Sequence, residues 1–325
     1  MPPPPESLTV ADLGELTVLE RLRPYCSSQM GDDAAVQSLT AGQQLVVTTD
    51  VLVEDVHFSE QTTPADAVGW RAAAVNLSDL AAMGAAPLGL TVGLALPGTT
   101  PWDWVEVVYQ GMADCLTQYG GEILGGDLVQ SSTASIAVTA LGQVVPDRAI
   151  YRSAAQPGQS IVVTGPHGLS RAGLALLQGQ FADAVAPETQ QQWIAAHQFP
   201  RPRFDAIATL QTLNQPHRPI AGMDSSDGLA NAIVQLCQSS QVGANIQPLT
   251  LAPGLAAWVG EARALDWTLY GGEDFELVLS LPPDLATRLL QQLPGCAIIG
   301  QTTQKPAIQL AGHPLTLTRS YQHFT

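Results

Sequence analysis

The chain has 325 residues, of which 46% are hydrophobic and 13% charged, and its formal net charge is −16. This length and composition predict two domains with a large buried core. The negative charge argues against nucleic acid as a ligand, which requires a basic face, and against an anionic membrane surface. One of the 13 basic residues is a lysine, Lys305. A polyphosphate ligand would therefore need divalent cations to offset its repulsion.

Cysteine spacing and the N-terminus indicate the compartment. The four cysteines lie far apart and form no Cys-X-X-Cys pair, which is typical of thiols in a reducing environment. Residues 1–6 lack the basic and apolar regions of a signal peptide. The apolar stretch 72–97 contains Asp79 and Pro87, so a buried helix and strand are favoured over a membrane span. The sequence predicts a cytoplasmic location and no contact with membranes.

Apolar periodicity and turn residues predict the elements of the first half. Helices are predicted over residues 13–22, 65–83 and 102–119. Strands are predicted over residues 34–38, 45–50, 89–96, 122–125 and 135–144. Pro64 and Pro101 stand at helix starts, where a missing N–H costs little.

A domain boundary is predicted around Pro157-Gly158, a turn signal that precedes a new apolar run. The second half predicts helices over residues 168–178, 187–197, 203–213, 228–239 and 283–292. It predicts strands over residues 160–164, 221–224, 243–247, 276–281 and 296–301. Because both halves mix strands with helices, the predicted fold class is α+β with two α/β domains.

Acidic residues recur inside short runs of small residues. The runs are Gly31-Asp32-Asp33, Thr48-Thr49-Asp50, Asn76-Leu77-Ser78-Asp79, Gly125-Gly126-Asp127, Asp224-Ser225-Ser226-Asp227-Gly228 and Gly271-Gly272-Glu273-Asp274. Each run alone is explained equally well by a turn or a helix cap. Six of them in a chain with 13% charged residues exceed what caps require, and such oxygens are the ligands that Mg²⁺ prefers.

Asp79 is the sharpest case, since it lies inside an apolar helical stretch where an unpaired carboxylate would cost several kcal/mol. Arg71 is eight positions away, about two turns, which is too far for an i,i+4 pair. We therefore favour a metal ion as the partner of Asp79.

The pair Gly125-Gly126 lets backbone N–H groups approach a ligand closely. The chain contains no P-loop, dinucleotide fingerprint, protein-kinase motif set or nucleophile elbow.

Taken in order, these runs resemble the motifs of the thiamine-monophosphate kinase family, in the superfamily of aminoimidazole ribonucleotide synthetase and selenophosphate synthetase. The matches are Gly31-Asp32-Asp33-Ala34, Thr48-Thr49-Asp50 with His57-Phe58, the run from Asn76 to Ala85, Gly125-Gly126-Asp127, Arg152-Ser153 before Pro157-Gly158, Ser226-Asp227-Gly228-Leu229, the run from Gly271 to Leu277, and Tyr321-Gln322-His323-Phe324. Asp55 departs from the family, which usually has glycine before Val-His-Phe.

The resemblance implies site roles, residue by residue. The metal ligands would be Asp33, Thr48, Thr49, Asp50, Asp79, Asp127, Asp224 and Asp227. The ATP contacts would be Tyr109, Gly126, Asp127, Arg152 and Ser226, and the substrate contacts His57, Glu273 and Tyr321. No general base is assigned, because the acceptor is a phosphate oxygen that is already anionic near neutral pH.

The resemblance also implies a reaction and an assembly. Residues 1–150 would form the ATP- and magnesium-binding domain, which dimerises through a β-barrel-like interface. Residues 151–325 would form an α/β sandwich that completes the metal and substrate site. The expected activity is ATP-dependent phosphorylation of thiamine monophosphate to thiamine diphosphate, the last step of thiamine diphosphate biosynthesis. Transfer would be direct and in-line at several Mg²⁺ ions, in a homodimer.

Other readings within the superfamily fit less well. A selenophosphate synthetase would carry a reactive cysteine with a nearby lysine, and Cys26 has none. A hydrogenase-maturation homologue would end in a cysteine, whereas this chain ends in Thr325. Aminoimidazole ribonucleotide synthetase is the closest enzymatic rival. A non-catalytic metal- or nucleotide-binding protein is the alternative from another class.

Overall fold

The computed structural model describes residues 8–28, 33–181 and 185–317, which group into two compact units. Unit 1 holds the described residues up to Leu80 together with Ala86–Gln143. Unit 2 holds Ala81–Ala85 and the described residues from Val144 onward. Within the described ranges, no helix is long and apolar enough to cross a membrane.

Unit 1 is built on one open four-stranded sheet. Its elements are helices α1 (Val10–Leu13), α2 (Glu15–Leu22), α3 (Ala65–Ala82) and α4 (Trp102–Tyr119), and strands β1 (Gln44–Val53), β2 (Ala86–Leu96), β3 (Ile123–Gln130) and β4 (Ser135–Val144). The strand order is β1-β4-β2-β3, with β2 antiparallel to β4 and parallel to β3. Strands β1 and β3 are therefore the sheet edges.

Two glycines allow α3 and α4 to approach closely. A Cβ atom on Gly69 would lie 1.8 Å from the carbonyl oxygen of Val108, and one on Gly111 would lie 2.0 Å from that of Asp66. Any larger residue at either position would force the helices apart, since such distances are far inside van der Waals contact. This contact fixes α3, which carries Asn76 and Asp79, within unit 1.

Unit 2 is a mixed seven-stranded sheet with helices on both faces. Its helices are α5 (Leu169–Leu177), α6 (Pro187–Gln198), α7 (Phe204–Leu213), α8 (Leu229–Ser240), α9 (Leu255–Val259), α10 (Glu261–Tyr270) and α11 (Pro283–Gln292). Its strands, β5 (Ser160–Val163), β6 (Ala221–Asp224), β7 (Gly243–Ile246), β8 (Leu277–Leu281), β9 (Ala297–Thr303), β10 (Ile308–Leu310) and β11 (His313–Pro314), run in the order β11-β10-β7-β9-β5-β8-β6.

Strand β8 shows how the two cores of unit 2 form. Leu277, Leu279 and Leu281 pack with helices α7 and α11, whereas Val278 packs with α8 on the opposite face. All five residues of β8 are buried. A continuous apolar run is what a strand covered on both faces requires. A third cluster, built around Trp193 and Trp267, joins α5, α6, α9 and α10.

The predicted mixture of helices and strands in both halves is confirmed. The strand predicted over 34–38 is wrong: those residues have no regular structure, and Val36, the apolar residue at its centre, is 79% exposed. Helices α9 and α10 and strands β10 and β11 were not predicted. These four elements are short or bounded by glycine and proline, so their periodicity is weak. Among the described residues, neither sheet closes on itself.

Candidate active site

Strand β1 and helix α3 bring three predicted metal ligands together in unit 1. The hydroxyl of Thr48 donates a hydrogen bond to Oδ2 of Asp79 over 2.5 Å. The backbone N–H of Asp50 donates to Oδ1 of Asn76 over 3.1 Å, and the fully buried amide of Asn76 donates to the carbonyl of Ala72 over 3.0 Å. The Asn76-Leu77-Ser78-Asp79 run therefore lies against the Thr48-Thr49-Asp50 run.

Thr49 lies on the opposite face of the sheet from Thr48, because consecutive strand residues alternate sides. Its hydroxyl pairs with that of Thr139 on β4 over 2.8 Å. Asp127 shares the face of Thr49: the register aligns Thr139 with Thr91, and Asp127 with Gly93 two residues further along β2. An ion bound by both Thr48 and Thr49 would need a backbone carbonyl from one of them.

Three predicted ATP contacts line one pocket of unit 1. Tyr109, Gly126 and Asp127 share it with Leu22 and Cys26, and it is partly open to solvent. Burial raises the pKa of Tyr109, and burial raises the pKa of Cys26 to about 11, so both side chains stay protonated at neutral pH. The pocket therefore offers neutral donors beside the exposed carboxylate of Asp127.

Gly126 has a steric requirement besides its predicted ligand contact. A Cβ atom on Gly126 would lie 2.0 Å from the carbonyl oxygen of Val92 on the neighbouring strand. A Cβ atom on Gly125 would meet nothing within 4 Å. The two adjacent glycines are thus distinguishable by substitution, and the fold itself needs only the second of them.

His57 and Asp55 lie in a tight turn after β1. The backbone N–H of Val53 donates to Nδ1 of His57 over 3.1 Å, so the ring proton of the neutral imidazole is on Nε2. Asp55 has φ +63°, in the left-handed region. Glycine adopts this region freely and aspartate tolerates it better than most residues. The departure from the family at Asp55 therefore keeps a backbone conformation that a glycine would also supply.

Two of the predicted site residues, Asp33 and Tyr321, lie toward the ends of the chain. Asp33 is exposed in a bend before β1. Tyr321 lies outside the described residues, as does the Gly31-Asp32 part of the first acidic run.

In unit 2, the loop 224–228 joins β6 to α8; we call it the nucleotide loop after the ATP contact that the resemblance predicts at Ser226. Asp224 ends β6 with 2% exposure, and the hydroxyl of Ser226 donates to its Oδ1 over 3.2 Å. Asp227 is exposed, and its Oδ2 accepts a hydrogen bond from the amide of Asn231 over 3.0 Å. The loop therefore presents one buried and one exposed carboxylate.

Arg152 is connected to Asp227 by a chain of amide side chains along α8. Nη1 of Arg152 donates to Gln235 over 2.7 Å, Gln235 donates to Asn231 over 3.0 Å, and Asn231 donates to Asp227. Asn231 and Gln235 are four residues apart and share one face of α8, and Asp227 lies just before the N-cap of that helix, Gly228. Two predicted phosphate-site residues, far apart in sequence, thus belong to one hydrogen-bonded row.

The loop 271–276, which we call the substrate loop after the substrate contact that the resemblance predicts at Glu273, is hydrogen-bonded to the nucleotide loop. The N–H of Glu273 donates to the carbonyl of Ser226 over 2.6 Å, and the N–H of Ser225 donates to that of Glu276 over 2.9 Å. Glu273 and Phe275 have φ +58° and +52°. Such conformations cost of order 1 kcal/mol each for non-glycine residues, and they persist where the surroundings fix them. The two loops therefore form one braced unit.

A buried ion pair supports the substrate loop from below. Nη1 of Arg203 donates to Oε2 of Glu276 and to the carbonyl of Thr164, while Nε and Nη2 hold both carboxylate oxygens of Asp205 at 2.9 Å. Burial raises the pKa of Glu276 against the opposing charge of Arg203. Burial raises the pKa of Asp274 to about 7, although the N–H groups of Gly168 and Ser170 at the start of α5 bond its carboxylate.

Sequence reasoning missed two histidines that contact these loops. Nε2 of His167 lies 3.0 Å from Oγ of Ser225, and Nδ1 of His197 lies 3.7 Å from Oε2 of Glu273. His197 belongs to the Gln- and Ala-rich segment 178–199, which carries no recognisable motif. The sequence alone could not have predicted either contact. His167 and Ser225 are 58 positions apart, and His197 and Glu273 are 76 positions apart.

The donor chemistry fits Mg²⁺, which takes carboxylate, hydroxyl and carbonyl oxygens. Thr48 with Asp79, and Ser226 with Asp224, are oxygen clusters of this kind. Within the parts of the chain that the structure describes, three or more His, Cys, Asp or Glu side chains do not gather around any one point. The phosphate oxygens of a nucleotide would have to supply the remaining ligands.

Comparison with known proteins decides the family. Models of the AIR synthase related protein match in two parts, the N-terminal domain over residues 31–144 and the C-terminal domain over residues 156–313. A thiamine-monophosphate kinase from Synechococcus elongatus is 52% identical over 326 residues, which cover 98% of each chain. The chain belongs to the thiamine-monophosphate kinase family. The prediction that it is an enzyme of this family is confirmed.

Two solved structures of the family resemble the fold. The thiamine-monophosphate kinase from Stenotrophomonas maltophilia K279a is 32% identical with a TM-score of 0.79, covering 91% of this chain and 96% of that one. The structure of AaThiL complexed with AMPPCP and TMP is 30% identical with a TM-score of 0.77, covering 98% of this chain and all of that one. Because the coverage is near complete, both units are shared with the family.

Proposed function

We propose that the chain transfers the γ-phosphoryl group of ATP to thiamine monophosphate, giving thiamine diphosphate and ADP. The observation that carries this proposal is 52% identity to a thiamine-monophosphate kinase across 98% of both chains. The AaThiL structure supports it, since AMPPCP is an ATP analogue and TMP is the acceptor. The order of the acidic runs along this chain, which resembles that of the family's motifs, also supports it.

The transfer is direct and in-line. An oxygen of the acceptor phosphate attacks the γ-phosphorus, the bond to the β-bridging oxygen breaks, and ADP leaves with the electron pair. The acceptor oxygen is already anionic, so the reaction requires no general base. The work of the protein is positioning and charge neutralisation. The residues proposed to contact the nucleotide are Tyr109, Gly126, Asp127, Arg152 and Ser226, with the guanidinium of Arg152 on phosphate.

Magnesium ions would be held by the oxygen side chains of both sequence halves. When bound, they neutralise the charge of the reacting phosphates. The ligands proposed are Asp33, Thr48, Thr49, Asp50, Asp79, Asp127, Asp224 and Asp227. The hydrogen bond between Thr48 and Asp79, and that between Ser226 and Asp224, support two of these groups. His57, Glu273 and Tyr321 are proposed to contact the thiamine portion.

A substrate panel tests the reaction. The purified chain, with ATP and Mg²⁺, is offered thiamine monophosphate, thiamine or an aminoimidazole precursor, and products are separated by chromatography. Thiamine diphosphate from the first alone is expected, with activity lost in EDTA and restored by Mg²⁺. Turnover of another acceptor, or full activity in excess chelator, would overturn the proposal. With chiral γ-phosphoryl ATP, inversion is expected, and retention would contradict a direct transfer.

A homodimer is proposed through the outer face of β1. Leu45, Val47 and Val51 alternate along this edge strand and are 48%, 55% and 47% exposed. An edge strand with an apolar outer face is a template for pairing with another chain. A second copy of the same sheet would cover these side chains and extend the two sheets toward a barrel-like interface.

A cytoplasmic location also stays a prediction.

Sedimentation equilibrium tests the assembly. The wild-type chain is expected to have twice the mass of one chain, and Val47→Glu to shift the population to monomer. Thr133→Glu, at an exposed position in the β3–β4 turn, is the control. A monomeric wild type at micromolar concentration would contradict the proposal.

A further inference from the structure

Two buried histidines of unit 2 are not used by the proposed reaction. His167 is 3% exposed and His197 is 2% exposed. A buried polar ring without hydrogen bonds would be costly, so each ring needs a partner. The partners lie in different places: His167 pairs with Ser225 of the nucleotide loop, whereas His197 pairs with Ser170 on α5 and lies 3.7 Å from the Glu273 carboxylate of the substrate loop.

His167 holds Ser225, the residue between Asp224 and Ser226. The carbonyl of Gly165 accepts a hydrogen bond from the ring, and burial lowers the pKa of His167 to about 4, so the ring is neutral at pH 7. Nε2 is then left to accept from the hydroxyl of Ser225 over 3.0 Å. Ser225 is 1% exposed and its N–H is bonded to Glu276. The hydroxyl and the N–H of Ser225 are thus both hydrogen-bonded, and these bonds fix the direction of the neighbouring residues, Asp224 and Ser226.

His197 stands behind Glu273. Its Nδ1 lies 3.0 Å from Oγ of Ser170 on α5 and 3.7 Å from Oε2 of Glu273. The Glu273 side chain is 33% exposed, and one oxygen of its carboxylate lies near the buried ring. Its left-handed backbone at φ +58° must be held by surrounding contacts. Helix α6, which sequence reasoning left without a role, supplies one of them.

We propose that His167 and His197 are positioning residues, His167 for the nucleotide loop through Ser225 and His197 for the substrate loop through Glu273. The roles of the two loops rest on the proposed function. Neither histidine would touch a substrate. Each would set the geometry of one loop, so the two should affect different substrates.

The test is a pair of kinetic profiles on the full-length chain. His167→Leu is expected to raise KM for ATP about tenfold, the effect of one lost buried hydrogen bond, with KM for thiamine monophosphate within about twofold of wild type. His197→Leu is expected to raise KM for thiamine monophosphate about tenfold, with KM for ATP within the same twofold limit. His313→Asn, an exposed histidine on β11, is the control.

Replacing each histidine by a residue with an amide side chain distinguishes a positioning role from a contribution to stability alone. His167→Gln places an amide near the position of Nε2, and His197→Asn places one near that of Nδ1. Each amide variant is expected to reverse most of the rise in KM that the leucine substitution at the same position causes. Equal changes in both KM values, or loss of stability with unchanged KM, would overturn the proposal. If a leucine variant does not fold, Ser225→Ala and Ser170→Ala remove only a hydroxyl each and should raise KM for ATP and for thiamine monophosphate, respectively.

A wild-type chain inactive on thiamine monophosphate would refute the proposed function instead. The histidine proposal is then decided by calorimetric titration with AMPPCP and Mg²⁺. His167→Leu should weaken nucleotide binding about tenfold and His197→Leu should leave it unchanged. Any other pattern contradicts it.

Discussion

Unit 1 and unit 2 hold their candidate residues in different ways. In unit 1 most of them lie on regular elements: Thr48 and Asp50 on β1, Asp79 on α3 and Asp127 on β3. In unit 2 all of the described candidates except Arg152 lie in two loops that bond to each other and to buried side chains beneath them. The first arrangement depends on strand alternation and helix packing, whereas the second depends on a few long-range polar contacts. Substitutions outside the candidate residues should therefore affect activity more in unit 2, where the supporting contacts position the loops, than in unit 1.

The largest effect is expected for the carboxylates of unit 1. Asp50→Ala and Asp127→Ala should each lower kcat by about a thousandfold or more, because they remove preorganised charge from the reacting phosphates. Thermal unfolding should be nearly unchanged. Asp114→Ala, on the exposed face of α4, should keep wild-type turnover. Near-wild-type turnover in both active-site variants would remove the metal role from unit 1.

Unit 2 should respond most strongly in stability. Arg203→Ala leaves Glu276 buried without its charge partner, and we expect a loss of about 3–5 kcal/mol in the free energy of unfolding, measured in urea. Arg218→Ala is the control, since it breaks a similar two-point pair with Asp284 that is exposed to solvent, and should cost at most about 1 kcal/mol. Equal losses in the two variants would mean that the buried pair does not brace the substrate loop.

A backbone contact sharpens the description of unit 1. Gly126→Ala is expected to lower the free energy of unfolding by about 3 kcal/mol, because its Cβ atom would collide with the carbonyl of Val92. Gly125→Ala, one residue away with open space around it, should change stability by less than about 0.5 kcal/mol. Chemical denaturation of both variants measures the difference. A tolerated Gly126→Ala would show that β2 and β3 can separate freely.

The protonation of His167 should make the stability of the protein depend on pH. Its folded pKa of about 4 lies below the unfolded value of 6.5, so the unfolded chain binds the extra proton between these values. Stability from this group is present above pH 6.5 and is lost as pH falls toward 4. Wild type should lose about 2 kcal/mol relative to His167→Gln between pH 7 and pH 5. Parallel stability curves for the two proteins would contradict a buried neutral ring.

The smallest effect is expected in the turn after β1. Asp55→Ala should destabilise by about 1 kcal/mol relative to Asp55→Gly, because alanine is strained in the left-handed region and glycine is not. Unfolding midpoints of the two variants give the comparison. Equal midpoints would mean that the turn relaxes, and that Asp55 is kept for another reason.

The same contrast explains how much could be read from sequence. Alternation and small-residue runs predicted β1, β3 and the placement of Asp79 on a buried helix, because these are local patterns. They did not separate the face of Thr48 from that of Thr49, although strict alternation already implies it. The supports at His167, His197 and Arg203 could not be predicted, since each depends on which distant chain segments meet. The strand predicted at 34–38 failed because one valine in a polar stretch has no face to bury.

Label transfer from ATP decides the proposed activity. The purified chain is incubated with γ-³²P-labelled ATP, Mg²⁺ and thiamine monophosphate, and the labelled products are separated and counted. One label in thiamine diphosphate for each ADP formed is the expected result, with none when thiamine monophosphate is omitted. Label released only as inorganic phosphate, or ADP formation that does not depend on thiamine monophosphate, would show that the chain is not a kinase for this acceptor.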